Sequence, residues 1–337
     1  TYIFDNNRPP LELLRPESVD VVDDSSLRAS VRATYRYGRS RIEMLYILDD
    51  SADGLKIKIR AKWMSPHKML KLAIPIDTNS DYAIYGAPFG VVARRDPTSS
   101  EARDEDRAKY EVPSTGWVYV PLSFRGVVVA THSRFGFSKM GGLLEVSLLR
   151  APKYPSKNEM KLISLLPKWA KRPEFLSTPP AKLLSRIIVA LSRLSRGKIM
   201  DMGRHTFRIL IGSCDNVAEA IRLWLNHIMP PFIFEVWGRP GKGSIVSVSP
   251  KGIIVTAIKP AEDGDGIILR LWNPNSAPIQ ARLSPGIIKI LDAELCDSLE
   301  RTIRRLEPTG NSIIISMPPN GIVSVRIRWK APTEGDS

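Results

Sequence analysis

Cysteine is nearly absent. Cys214 and Cys296 are the whole complement of a 337-residue chain, and neither belongs to a CxxC pair. That excludes a disulfide framework and a cysteine-built zinc site, and it points to a reducing, cytoplasmic compartment. Asn-x-Ser/Thr glycosylation acceptors are missing, and Gln280 is the only glutamine. Depletion of labile amides is a trait of thermophile proteins. No apolar run reaches the roughly 20 residues that a membrane span requires. The opening TYIFDNNRPP has neither the basic start nor the apolar core of a secretory signal.

Catalytic signatures are equally scarce. GxSxG, HExxH and the P-loop pattern do not occur. The stretch GRPGKGS at 238–244 holds Gly-Lys-Gly-Ser without the spacing that cradles a phosphate, so it reads as a linker. His67, His132, His205 and His227 include no i, i+4 pair, which rules out a helical two-histidine metal site. Glu101, Asp104, Glu105 and Asp106 crowd one segment with two arginines. Glycoside hydrolysis needs two opposed carboxylates, about 5–5.5 Å apart for retention. A catalytic carboxyl also needs surroundings that shift its pKa, and this segment reads as a solvated loop.

What the chain does hold is ordinary globular material: 43% hydrophobic and 25% charged residues. The formal net charge is +14, enough to attract polyanions non-specifically. Much of it sits between 157 and 198, where ten lysines and arginines face only Glu159 and Glu174. No nucleic-acid module accompanies them, so no specific nucleic-acid partner is expected. The basic stretch suits a helical pair packed on the sheet or on a partner, with an anionic lipid surface as the alternative. Self-association is compatible with it.

Up to residue 150 the pattern alternates with period two, as in SVDVV, SLRASVRATYRY, SRIEMLYIL and LKIKIRAKW. Turn clusters recur every 8–12 residues, the signature of a sandwich or a large antiparallel assembly. Helical spacing appears in about 157–200, which reads as an insertion, and again in VAEAIRLWLNHI after a capping Asp215 or Asn216. Short strands resume after 244. The expected organisation is therefore a large β domain over 1–235 carrying the insertion, a linker at 236–243, a smaller β-sandwich at 244–330 and a tail at 331–337. Asp263 and Asp265 lack the spacing and terminal glutamate of a calcium loop, so KPAEDGDGIILRLW is expected to be a hairpin.

One strand, LLEVSLLR, is bracketed by unusual loops: Ser133-Arg134-Phe135-Gly136-Phe137 before it and Lys153-Tyr154 after it. An arginine fork beside aromatic rings suits hydroxyl-rich ligands. The same residues also suit core plugs and an interdomain salt bridge.

KWMSPHKMLKLAIPI, YGAPFGVVARR, AKYEVPSTGWVYV, GVVVATHSRFGFSKMGGLLEVSLLRAPKYPS, HTFRILI and AIKPAEDGDGIILRLWNPN follow one another in the chain. In that order they resemble the C-terminal β region of glycoside hydrolase family 38, the α-mannosidases. The resemblance spans most of 11–330. It implies an all-β, galactose mutarotase-like super-sandwich followed by a small β-sandwich. Family members are retaining glycosidases whose zinc ion holds the sugar hydroxyls while an aspartate attacks. Those groups lie in an N-terminal barrel that nothing in this chain resembles. The resemblance thus implies no catalytic residue, metal or cofactor in this chain, and zinc in the intact enzyme. Arg134, Phe135, Phe137, Lys153 and Tyr154 become candidate substrate-binding residues, an α-mannoside the carbohydrate, and a catalytic barrel domain or subunit the partner. The alternative is a free-standing carbohydrate-binding or assembly subunit without hydrolase activity.

Overall fold

A computed structural model describes residues 15–50, 53–78, 80–154, 178–179, 198–232, 235, 237, 243–310 and 312–330. Most of the basic stretch expected to form an insertion therefore lies outside the described residues.

The protein is all-β, as its alternating segments predict. In chain order the elements are β1 (Ser18–Ser25), β2 (Arg28–Tyr37), β3 (Ser40–Asp49), β4 (Gly54–Trp63), β5 (Met69–Pro75), β6 (Tyr82–Ala87), β7 (Gly90–Arg95), α1 (Asp104–Arg107), β8 (Val112–Pro113), β9 (Trp117–Val120), β10 (Gly126–Thr131), β11 (Gly136–Met140), β12 (Leu143–Arg150), β13 (Gly203–Cys214) and α2 (Val217–Ile228). The C-terminal strands are β14 (Val246–Ser249), β15 (Ile254–Pro260), β16 (Ile267–Trp272), β17 (Ile279–Pro285), β18 (Lys289–Cys296), β19 (Thr302–Arg305), β20 (Ile313–Met317) and β21 (Ile322–Lys330).

Two compact units emerge. The first comprises Thr1–Tyr46, Lys58–Leu72 and Ser147–Phe207; the second comprises Ile47–Ile57, Ala73–Val146 and Arg208–Ser337. In the first, β1, β2 and the parts of β3 and β4 that belong to it follow one another in a sheet. Tyr37 and Trp63 stack across it with ring centroids 6.2 Å apart.

In the second unit the sheet order is β13-β10-β9-β6-β7. Trp117, Tyr119, Val128, Ala130, Leu210 and Cys214 form its inward face. Against that face packs α2, through Ala220, Ile221 and Leu223, joined by Ile254 and Trp272 from β15 and β16. Each large aliphatic side chain so buried stabilises the fold by about 1.5–3 kcal/mol. The helix starts where the sequence says it should. Asn216 caps it by accepting from the Glu219 amide at 3.0 Å, and the Glu219 carboxylate accepts from the Asp215 amide at 2.7 Å. Gly54 is required where it stands, because a Cβ there would lie 2.3 Å from the Ile211 carbonyl oxygen.

The C-terminal strands form a three-stranded sheet, β14-β17-β20, and a five-stranded sheet, β15-β16-β21-β18-β19. Leu269, Leu271, Leu283, Ile313, Ile315, Val325 and Ile327 make the core of this β-sandwich.

Candidate functional site

The Arg134–Phe137 segment leaves the end of β10 through a tight turn. The buried Thr131 hydroxyl donates to the Arg134 carbonyl at 2.6 Å and accepts from the Arg134 amide at 3.3 Å. The Phe135 carbonyl accepts from the Ser114 amide at 2.8 Å, which pins the next step of the chain. The two phenylalanines then part ways. Phe135 is 57% exposed, whereas Phe137 is fully buried where β11 pairs with β8 and β12, opposite Val112 and Val146. One aromatic ring anchors the loop and the other is presented to solvent.

Beside the loop, the His132 amide donates to the Arg208 carbonyl at 3.2 Å. His227, on α2, is pushed below the usual imidazole range by burial first, and also by the nearby His132, Lys56 and Arg208 charges; a bond to the Arg208 backbone opposes the shift. Its Nε2 and the indole Nε1 of Trp224 are buried with no hydrogen-bond partner among the described residues. The indole nitrogen lies 3.1 Å from where a Cβ would stand on Gly116.

Lys153 and Tyr154 belong to the first unit. Lys153 is buried and forms an antiparallel bridge with Ile199. The Tyr154 amide donates to the Lys198 carbonyl at 2.8 Å, and the Met200 amide to the Pro152 carbonyl at 2.9 Å. Residues 152–154 and 198–200 are therefore paired, so the chain leaves and returns through one short antiparallel stem. The Tyr154 ring is exposed. The structure groups Arg134, Phe135 and Phe137 in one unit and Lys153 and Tyr154 in the other.

Other sequence candidates find structural uses. Asp104, Glu105 and Asp106 form the single exposed turn α1, where acids favour the helix N-terminus. Glu101 pairs with Arg95. Asp263 and Asp265 close the β15–β16 hairpin turn and are taken by arginines: Asp263 by Arg326 at 2.6 Å, Asp265 by Arg328 at 2.7 Å. Among the described residues no three His, Cys, Asp or Glu side chains are placed to hold a metal ion. Nor is any helix there long and apolar enough to cross a membrane.

Sequence reasoning missed one constellation. Asp96 and Lys139, both under 5% exposed, form an ion pair at 2.6 Å. Lys139 Nζ also donates to the Ser80 carbonyl at 2.7 Å. The carboxylate accepts from the Gly141 amide at 2.8 Å and, on its other oxygen, from the amide and hydroxyl of Thr98 at 2.8 and 2.7 Å. Burial pushes the Asp96 carboxyl up, but the bonds from Lys139 and Thr98 outweigh it and hold the group below the usual carboxylate range. Over this knot lies a cavity of about 320 Å³. A signal was present: Lys139 stands two residues from the buried Phe137 on one strand, so both side chains face the same way.

Residues 1–158 match the family described as "Glycosyl hydrolases family 38 C-terminal domain", and residues 252–325 match "Glycosyl hydrolases family 38 C-terminal beta sandwich domain". Human "Alpha-mannosidase 2C1" is 31% identical over 87% of this chain and 25% of its own length. The mouse protein of that name is 25% identical over 81% of this chain and 22% of its own. The chain thus spans about a quarter of these curated relatives. Among solved structures, an α-mannosidase from Enterococcus faecalis V583 superposes with a TM-score of 0.64 at 14% identity, over 92% of this chain and 35% of that one. That likeness shows the fold.

Proposed function

The chain belongs to glycosyl hydrolase family 38, of whose C-terminal region it carries two domains, and from that membership we propose that it serves as the non-catalytic C-terminal part of a zinc-dependent, retaining α-mannosidase that hydrolyses terminal α-mannosides. One observation carries this reading: both C-terminal domain matches of the family lie in order along this chain. The nucleophile and the zinc ligands are assigned to the catalytic barrel, as a domain or a subunit, and the compartment to the cytoplasm. No step of bond cleavage is assigned to the residues described here.

In the intact enzyme the role of this part is to buttress the barrel and shape the sugar site. Phe135 supplies an exposed ring for the apolar face of a sugar, and Arg134 a planar fork of donors for hydroxyls. Phe137, wholly buried, holds the loop from beneath. In the first unit the exposed Tyr154 ring is the matching candidate, with Lys153 fixing the stem under it.

The test has two arms. This chain alone, given an aryl α-mannoside and zinc, shows no turnover; robust turnover would refute the reading. In the intact enzyme, Phe135→Ala raises KM about tenfold with kcat little changed, the pattern of lost uniform binding. An unchanged KM removes Phe135 from the sugar site.

A further inference from the structure

We propose that the cavity over Asp96 and Lys139 binds a neutral, hydroxyl-rich ligand of about one hexose unit. Its volume of about 320 Å³ falls at the small end of the range that holds small-molecule ligands. Its wall is built from hydroxyl- and carboxylate-bearing residues: Thr78, Ser80, Ser99, Ser100 and Asp81. The floor is Asp96, Thr98 and Gly141.

The hydrogen bonds already made show what remains for a ligand. Asp96, Thr98 and Gly141 are bonded to one another, and Lys139 neutralises Asp96. The Ser80 hydroxyl donates to the Tyr82 carbonyl. Among the described residues Thr78 and Ser99 accept, from the Ser80 and Glu101 amides, and donate no bond, so each hydroxyl keeps its proton. The side chains of Asp81 and Ser100 have no partner among the described residues. The wall therefore offers one acceptor-only carboxylate and three hydroxyls able to donate.

A polyol matches that set, since each of its hydroxyls both donates and accepts, and two neighbouring ones can bond both oxygens of Asp81. An anion would meet Asp81 and no unpaired cation. A calcium ion would need several carboxylates and six to eight oxygens, against one free carboxylate here. An apolar ligand would desolvate hydroxyls and give nothing back. The floor is pre-set: Asp96 is fixed by Lys139, Gly141 and Thr98 before anything binds, so little ordering is lost on binding.

Titration of this chain with methyl α-D-mannopyranoside, followed by calorimetry and ligand-observed NMR, tests the proposal. Saturable binding with a dissociation constant on the order of 1 mM is expected. Asp81→Ala, at an exposed position that leaves the fold intact, weakens it about tenfold or more, and Ser100→Ala by a smaller factor. Absence of saturable binding overturns the proposal, as does binding indifferent to Asp81→Ala. Binding lost in Phe135→Ala and kept in Asp81→Ala overturns it too, while leaving the role of the Arg134 loop intact. Methylammonium chloride is the control for charge: Asp81-dependent binding of that cation without binding of the sugar makes the pocket a cation site and sinks the proposal.

Discussion

Two regions of this protein hold carboxylates with cations, and they do it in opposite ways. The Asp96–Lys139 knot has one cation and one carboxylate, both buried, with each carboxylate oxygen accepting two bonds. The outer face of the five-stranded C-terminal sheet carries a ladder instead. There Arg326 holds Asp263, and Arg328 holds Asp265 and Asp292 at 2.7 Å each and Glu294 at 3.2 Å. Asp265 is more than half exposed. Burial is the difference that matters. In the knot a charge left alone has no second ion to replace its partner. In the ladder Asp263, Asp265 and Asp292 reach water, and Arg328 has three carboxylates beside it. The first arrangement is brittle and specifies one geometry; the second is redundant and tolerant.

The largest effect should therefore come from Lys139→Met. It removes the cation bonded to the nearly buried Asp96 carboxylate, and breaking a buried pair costs about 3–5 kcal/mol. Denaturant unfolding measures it. Adding Asp96→Asn should recover part of the loss, because no buried charge then remains. A loss below about 1 kcal/mol would place the knot with exposed pairs and erase the contrast. The same knot gives an acid signature. Its folded carboxyl titrates below the ordinary value of 3.8, so its stabilisation is complete above that value and drains away as pH falls through the lower, folded one. The stability of the Asp96→Asn variant should thus vary less with pH below about 4 than that of the parent.

The sequence reveals the ladder's neighbourhood better than the knot, for a physical reason. Alternation marks a strand when one face is dry, and LKIKIRAKW gives β4 almost to the residue. Local capping chemistry fixes the start of α2 at Asn216. The hairpin at Asp263–Asp265 is equally local. By contrast, β18 and β19 pass unnoticed in the sequence. A bulge between Ile290 and Asp292 breaks the period of β18, and β19 is exposed throughout. The knot joins residues 43 apart in sequence, and no window along the chain contains both. In the candidate loop, the sequence identifies Phe135 and Phe137 as a pair. Only the pairing of β11 with β8 and β12 tells the buried ring from the exposed one.

Within the ladder, the two arginines rank by burial. Arg326 is 7% exposed; beyond Asp263 its Nη2 donates to the Glu300 carbonyl at 3.1 Å. Arg326→Met should cost about 2 kcal/mol, the range for hydrogen bonds to charged groups. Arg328 is more exposed and has three carboxylates around it. Its removal leaves Asp265 and Asp292 facing water, while the buried Glu294 keeps the bond from the Thr302 hydroxyl at 2.8 Å. Arg328→Met should then cost under about 1 kcal/mol in unfolding experiments, and less still at high salt, where exposed charges are screened. If Arg328→Met instead matches Lys139→Met, the ladder is a cooperative network whose members fail together, and redundancy is the wrong description of that sheet.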